Sequence, residues 1–202
     1  MPVNNDNIYE LVNVPGRNGL QISTVSKSTS PYRYNQSGSK SPWWMVSIKA
    51  SKELLSSTVE GNSIYKNFAE LYGFHIAAWR EVSSDVSNQL FTSAMIQHED
   101  VIILIPSGGY IADLENAMCS GTPVVKIIIQ GTGWINNALK PFVTISFENS
   151  FILSVTQDGD RTFVTFRASE KSHTFFVHDQ KGASKGQSVC TANLLENTSE
   201  LG

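Results

Sequence analysis

The stretch VIILIPSGGYIADLENAMCSG, residues 101–121, indicates the fold class of this chain. An apolar run, VIILI, leads through PSGG into the one segment with clear helical periodicity. In that segment Ile111, Leu114 and Met118 fall at i, i+3 and i+7 and form a single apolar stripe. We therefore predict a strand followed by one short helix, residues 111–119, whose stripe packs against a hydrophobic core.

Segments typical of β-strands lie on both sides of this helix. They are WWMVSIKA (43–50), FAELYGFHIAAWREV (68–82), VVKIII (124–129), FVTISFENSFILSV (142–155) and RTFVTFRAS (161–169). They are rich in aromatic and β-branched residues, and FVTISF alternates apolar and polar side chains as a strand with one wet face does. The DG pair within QDGDR, residues 157–161, predicts a tight hairpin turn. The predicted fold class is mainly β, a two-sheet sandwich or barrel with one short α-helix.

Composition and charge restrict the classes of partner. The 202 residues include 15 basic and 18 acidic side chains, a formal charge of −3, with no basic run suited to a phosphate backbone. We expect no nucleic-acid partner. No apolar run approaches the roughly 20 residues that cross a bilayer, and residues 1–30 contain no Sec-type signal. Cys119 and Cys190 are expected to be reduced thiols, the former buried near the helix end, with a single disulfide as the alternative.

No residue pattern predicts catalysis, a cofactor or a metal site. GTGW, residues 131–134, lacks the third glycine of a dinucleotide loop, and we interpret it as a strand-connecting loop. The histidines at His75, His98, His173 and His178 have no Cys or His partner at metal-binding spacing. There is no G-x-S-x-G elbow, and the two Ser-Lys pairs lie in loops without apolar shielding. We therefore predict a protein that is not an enzyme and binds no cofactor.

The chain divides into three parts by composition. Residues 1–42 are rich in Ser, Asn, Gly and Gln, contain four prolines, and are predicted to form a polar N-terminal extension. Residues 43–197 contain the strands and the helix and form the predicted domain, and residues 198–202 form a tail. Within the domain, residues 81–97 form a polar excursion, and KGASKGQS, residues 181–188, is predicted to be a flexible stretch.

The order of these segments resembles that of the Hcp (haemolysin-coregulated protein) tube subunits of type VI secretion systems, which are related in fold to phage tail-tube proteins. The shared order is a first strand ending in a polar loop, an aromatic strand, a polar excursion, a strand leading into the helix, and then strands joined by a DG turn. The resemblance covers residues 43–197 and lies in the hydrophobic pattern. The chain departs from the family in its additional N-terminal segment and in PSGGYIAD, where relatives often have a Ser-Pro pair.

The resemblance implies a structural subunit that forms homohexameric rings, which stack into the inner tube of a contractile injection apparatus. It also implies sheath and spike proteins as partners, effector proteins as cargo in the lumen, and export from the bacterial cytoplasm through the type VI apparatus without a Sec signal. By position, residues 81–97 correspond to the family's extended loop, so Asp85, Asn88 and Gln89 are candidates for contacts between stacked rings. The residues alone leave two alternatives open: a monomeric β-barrel that binds a ligand or effector, and an enzyme that uses the histidines.

Overall fold

A computed structural model describes residues 23–24, 44–56, 65–80, 96–135, 138–179, 183–195 and 198–201. These ranges contain one helix, α1 (Ile111–Cys119), and twelve strands. In chain order the strands are β1 (Ser23–Thr24), β2 (Trp44–Lys49), β3 (Ala69–Glu70), β4 (Gly73–His75), β5 (Ala78–Arg80), β6 (Ile96–His98), β7 (Val101–Pro106), β8 (Val124–Ile135), β9 (Ala138–Asp158), β10 (Arg161–His178), β11 (Ser184–Asn193) and β12 (Thr198–Leu201).

Ten of these strands form one antiparallel sheet, which curls into a half-barrel. Its order is β1-β4-β7-β10-β9-β8-β2-β3, with β11 and β12 continuing from β10, and β5 and β6 form a separate two-stranded sheet. The long strand β10 pairs with β9 on one side, and on the other side first with β7 and then with β11. The prediction of a mainly β fold with one short helix is confirmed, and the helix has the predicted bounds.

The hairpin between β9 and β10 forms the centre of the sheet. Asp158 and Arg161 are cross-strand partners, so Gly159 and Asp160 make a two-residue loop between them. Gly159 has φ of 59°, a left-handed conformation that glycine adopts without steric cost. The turn predicted from the DG pair is therefore present, and it sets the register of the two longest strands.

The core lies between α1 and one face of the curled sheet. Leu114 is fully buried in it, while Ile111 and Met118 are partly buried and pack against its surface. Beneath the helix, Phe147 on β9 and Phe166 on β10 meet edge to face, with ring centroids 5.2 Å apart. The helix contacts β9, and Leu114 belongs to the same core cluster as these two rings.

Two segments that were predicted to be loops are strands. Gly131, the first residue of the GTGW segment, is paired with Val143 inside β8, and the ladder continues past a register shift to Ile135. Within the polar stretch 181–188, Ser184 begins β11, which pairs with β10 as far as Glu170. In both places a neighbouring strand pairs with the segment despite a register shift, and this pairing overrides the local turn preference of glycine and serine.

The last residues of the chain and the first cysteine also differ from expectation. Thr198–Leu201, within the segment assigned to a tail, pair with Cys190 to Asn193 as strand β12. Cys119 was expected to be buried but is exposed, because it is the last residue of α1 and follows Met118, whose side chain is turned toward the core. Cys190 is half-buried, and both thiols are free.

Candidate assembly surfaces

The region of the sheet formed by β2, β8, β9, β10 and β11 has two faces of different chemistry. In an antiparallel pair, residues directly opposite each other lie on the same face. One cross-strand row begins in the core and consists of Val46, Ile129, Ile145, His173 and Cys190. The next row lies on the other face and consists of Met45, Gln130, Thr144, Thr174 and Val189. We call these the core face and the polar face.

The polar face is dominated by hydroxyl and amide side chains. Gln130 Nε2 donates a hydrogen bond of 3.1 Å to Thr144 Oγ1, and a row of Ser47, Ile128, Ser146, Ser172 and Thr191 runs beside it. Charges gather in the next row, where Lys126 Nζ lies 2.9 Å from Glu148 Oε1. Such a polar surface is stable in contact with water and has little tendency to pack against an apolar surface.

The core face extends past the core onto an arm, which we define as residues 171–178 of β10 together with β11 and β12. Phe175 is opposite Val143, whose side chain is buried, yet Phe175 is 53% exposed and Val177 is 59% exposed. The two side chains therefore continue the apolar surface of the core into solvent. We call Phe175 and Val177 the arm patch.

A second apolar surface lies on the opposite face of the sheet. Phe151 and Leu153 are 47% and 45% exposed and flank the buried Ile152, so they point away from the core. Val125 on β8 is 56% exposed beside the buried Val124. We call Val125, Phe151 and Leu153 the back patch.

The two patches lie far apart on the same hairpin. Phe151 is opposite Arg167, which is eight positions along β10 from Phe175. At the rise of a β-strand, eight positions correspond to about 26 Å. Because the patches also lie on opposite faces of the sheet, they cannot cover each other within one copy of the chain.

Arg167 links the back patch to a buried acid. Its Nε donates a hydrogen bond of 2.7 Å to Asp100 Oδ1; the Asp100 side chain is 9% exposed and the Arg167 side chain 69%. The ion pair therefore has its carboxylate inside the protein and its guanidinium at the surface, next to Phe151. A partner that covered the back patch would also meet this guanidinium.

Three titratable groups lie at the boundary between the core and the arm patch. His173 Nε2 is buried and makes no hydrogen bond to any described residue. Burial lowers the pKa of the His173 imidazole, and the positive charge of Lys171 lowers it further. Burial also lowers the pKa of the Lys171 ammonium, while the proximity of Cys190 raises it. The imidazole is therefore neutral at pH 7.

The structure describes the residues that were predicted to pack the helix, but not those that were predicted to contact the next ring. Asp85, Asn88 and Gln89 lie outside the described residues, so their role in stacking stays a prediction. Neither apolar patch was identified from the sequence. The signal for the back patch was present as Phe151, Ile152 and Leu153, a run of consecutive apolar residues that places apolar side chains on both faces of a strand.

The described residues form neither an apolar pocket typical of small-ligand sites nor a cluster of metal ligands. A groove of about 280 Å³ at the β2–β8 edge is lined mostly by polar and charged side chains, among them Lys49, Glu53 and Lys66. The described ranges contain no cluster of three His, Cys, Asp or Glu side chains able to hold a metal ion. They also contain no helix with the length and apolar character needed to cross a bilayer.

Comparisons with known proteins identify the fold. No protein-family model and no curated protein matches the sequence. Among solved structures, a type six secretion system protein matches with a TM-score of 0.64 at 16% identity, covering 78% of this chain and 99% of that chain. An Hcp protein from E. coli matches with a TM-score of 0.56 at 9% identity, covering 80% of this chain and 98% of that one. An Hcp protein from Salmonella typhimurium matches with a TM-score of 0.55 at 12% identity, covering 78% and 99%. The chain therefore has the fold of the Hcp proteins of type VI secretion.

Proposed function

We propose that this protein is a non-enzymatic structural subunit that associates head to tail with further copies of itself into a closed ring of a type VI secretion tube. The observation that carries the proposal is the pair of exposed apolar patches on opposite faces of the central hairpin, in a chain with the Hcp fold. A soluble subunit that exposes two separated apolar surfaces gains stability when another copy covers them.

Two different patches require a heterologous contact, in which the arm patch of one copy meets the back patch of the next. Such contacts form a ring when the rotation between copies closes, and an open filament when it does not. The resemblance in segment order supports a closed ring of six copies formed by the domain 43–197. It also supports secretion of the protein by the apparatus that it helps to build, with sheath, spike and effector proteins as partners.

The polar face suits the wall of a water-filled lumen. Its central rows offer hydroxyl and amide groups, such as Thr144, Ser146 and Ser172, which form hydrogen bonds with water and with a passing protein without holding it tightly. Its charged row contains both signs, since Lys126 is paired with Glu148. A lumen of this composition would let passenger proteins of either charge move through it.

The size of the apolar contribution can be worked from the exposed fractions. About half of Phe175 and half of Phe151 remain in contact with water in the isolated chain. Burying that half would contribute roughly 1 to 2.5 kcal/mol for each phenylalanine. An aspartate at either position would remove this term and place an unpaired charge in the contact, which costs more than the lost apolar area.

A complementation experiment tests the head-to-tail arrangement. One variant carries Phe175→Asp with Val177→Asp, which disrupts the arm patch, and a second carries Phe151→Asp with Leu153→Asp, which disrupts the back patch. Each variant alone should be monomeric by sedimentation velocity, whereas the wild type should form rings visible by negative-stain microscopy. An equimolar mixture should stop at a dimer, because only one intact junction can form between the two variants.

The control for this experiment is Leu195→Asp, which changes a residue that is 73% exposed and belongs to neither patch. This variant should form rings like the wild type. A wild-type protein that stays monomeric at high concentration, with no rings, would exclude self-assembly of the isolated chain. If both patch variants still formed rings, the proposal of self-assembly would stand, but surfaces other than the two patches would mediate it.

We further propose that Asp85, Asn88 and Gln89 contact the next ring in the stack. This proposal is supported by the position of residues 81–97 in the segment order that resembles the family. Replacing the three residues with alanine should leave single rings intact and shorten or abolish tubes of stacked rings. Normal tubes from this variant in electron micrographs would exclude the three side chains from the stacking contact.

A further inference from the structure

A thiol, an imidazole and an ammonium group lie together on the core face of the arm. Cys190 on β11 is directly opposite His173 on β10, and Lys171 is two positions away on the same face of β10. Directly opposite residues have Cβ atoms about 5 Å apart, and diagonal neighbours are about 7 to 8 Å apart. The three side chains are therefore within reach of one another.

Each group has a property that suits nucleophilic chemistry. Cys190 is a free thiol on a residue that is half-buried and therefore still in contact with solvent. His173 is half-buried, and its Nε2 has no hydrogen-bond partner among the described residues. A neutral imidazole carries one unprotonated nitrogen that can accept the proton of a thiol. In the resting structure Nε2 makes no hydrogen bond to Cys190 Sγ, so the transfer requires a change of side-chain rotamer that brings the two atoms together.

We propose that Cys190 is a modification site on the arm, a thiol that His173 and Lys171 activate for exchange with the disulfide of a low-molecular-weight thiol. The thiol proton of Cys190 passes to the imidazole of His173, and the sulfur attacks one sulfur of the small disulfide. A new disulfide to Cys190 forms as the old one breaks, and the leaving thiolate takes the proton from His173. The positive charge of Lys171 stabilises the anionic sulfur during the attack.

The other cysteine provides an internal comparison. Cys119 is more exposed than Cys190 and is the last residue of α1, whose last turn contains no basic residue. Cys119 therefore has access without activation, and Cys190 has activation with partial access. Exposure alone predicts that Cys119 reacts faster, and activation predicts the reverse.

The test uses dithiodipyridine, a neutral aromatic disulfide, on full-length chains that each retain one thiol. At pH 7 the Cys119→Ser chain, which keeps Cys190, should react about tenfold or more faster than the Cys190→Ser chain. Lys171→Met and His173→Gln should each slow the reaction of Cys190 severalfold, and Lys171→Arg should restore most of the rate. Oxidised glutathione should then give a mixed disulfide at Cys190 by mass spectrometry.

The activation proposal is overturned if the chain that keeps Cys119 reacts as fast or faster. It is also overturned if both Lys171→Met and His173→Gln leave the rate of Cys190 unchanged. The rates are measured with Phe151→Asp and Leu153→Asp also present, so that ring assembly cannot cover the arm. The outcome is thus independent of the proposed ring, since a monomeric wild type leaves the expected rates unchanged.

Discussion

Gly131→Ala is expected to destabilise the protein, because Gly131 has no room for a Cβ. A Cβ built at this position would lie 2.8 Å from Phe142 Cζ and 2.8 Å from Val143 Cγ1. Gly131 lies at the register shift between β8 and β9, where the ladder passes from the pair Gly131–Val143 to the pair Thr132–Pro141. The Phe142 ring is held against Trp44 at a tilt of 79°, with ring centroids 5.9 Å apart. It cannot withdraw from the added methyl group without disrupting this contact.

The expected loss follows from the two short distances. Non-bonded carbon atoms pack at about 3.5 to 4.0 Å, so each contact to the new Cβ would be too short by about 0.7 Å or more. Overpacking of this kind costs about 1 to 3 kcal/mol, while replacing glycine stabilises by about 0.4 to 1 kcal/mol through the unfolded chain. The net loss should be about 1 to 2 kcal/mol, which lowers Tm by about 2 to 8 °C for a chain of this size.

The assay is guanidinium denaturation at one fixed protein concentration, because self-association would otherwise add to the apparent stability. The matched control is Gly109→Ala, where an added Cβ meets no heavy atom within 4 Å. That variant should lose no stability and should gain about 0.4 to 1 kcal/mol, because only the contribution through the unfolded chain remains. Equal losses for the two alanine variants would refute the steric argument at Gly131.

Two further predictions concern the core and the arm. Phe166→Ala removes a fully buried ring in contact with Phe147 and should cost about 3 to 5 kcal/mol in the same denaturation assay. Phe175→Ala should cost little in a monomeric background, because about half of that residue is exposed. Similar losses for the two variants would contradict the assigned burial. Burial, and to a lesser degree the positive charge of Lys171, lowers the pKa of His173 in the folded state, so below the usual histidine pKa of about 6.5 the unfolded chain binds more protons than the folded chain. The stability that this histidine contributes is therefore present above about pH 6.5 and is lost as the pH falls toward its folded-state pKa. In melting curves between about pH 7.5 and 5, His173→Gln should reduce the decline in Tm on acidification, and an unchanged decline would exclude His173 as its source.

Local patterns in the sequence predicted the elements that depend on local interactions. The helix Ile111–Cys119 follows from the 3.6-residue period of Ile111, Leu114 and Met118, and the turn at Gly159 follows from the need for a positive φ. The strands follow from runs of β-branched and aromatic residues. In each case the residues that specify the structure lie within a few positions of one another.

The errors arose where pairing partners are distant in the chain. Gly131 lies in a strand because β2 and β9 hydrogen bond to it from both sides, and Ser184 begins a strand because β10 continues beyond the core. Neither segment contains the partner that makes it a strand. The register shift next to Phe142 leaves Gly131 inside the ladder, although the composition of the GTGW segment suggested a loop.

The sequence by itself determined the fold class, the single helix and the hairpin turn, because hydrophobic period and turn chemistry act over short distances. Only the tertiary structure decided which apolar side chains are covered. Ile145 and Phe175 lie on the same face of neighbouring strands, yet one is buried in the core and the other meets solvent on the arm. Burial depends on what packs across that face, and this is set by long-range pairing that alternation along a strand does not encode.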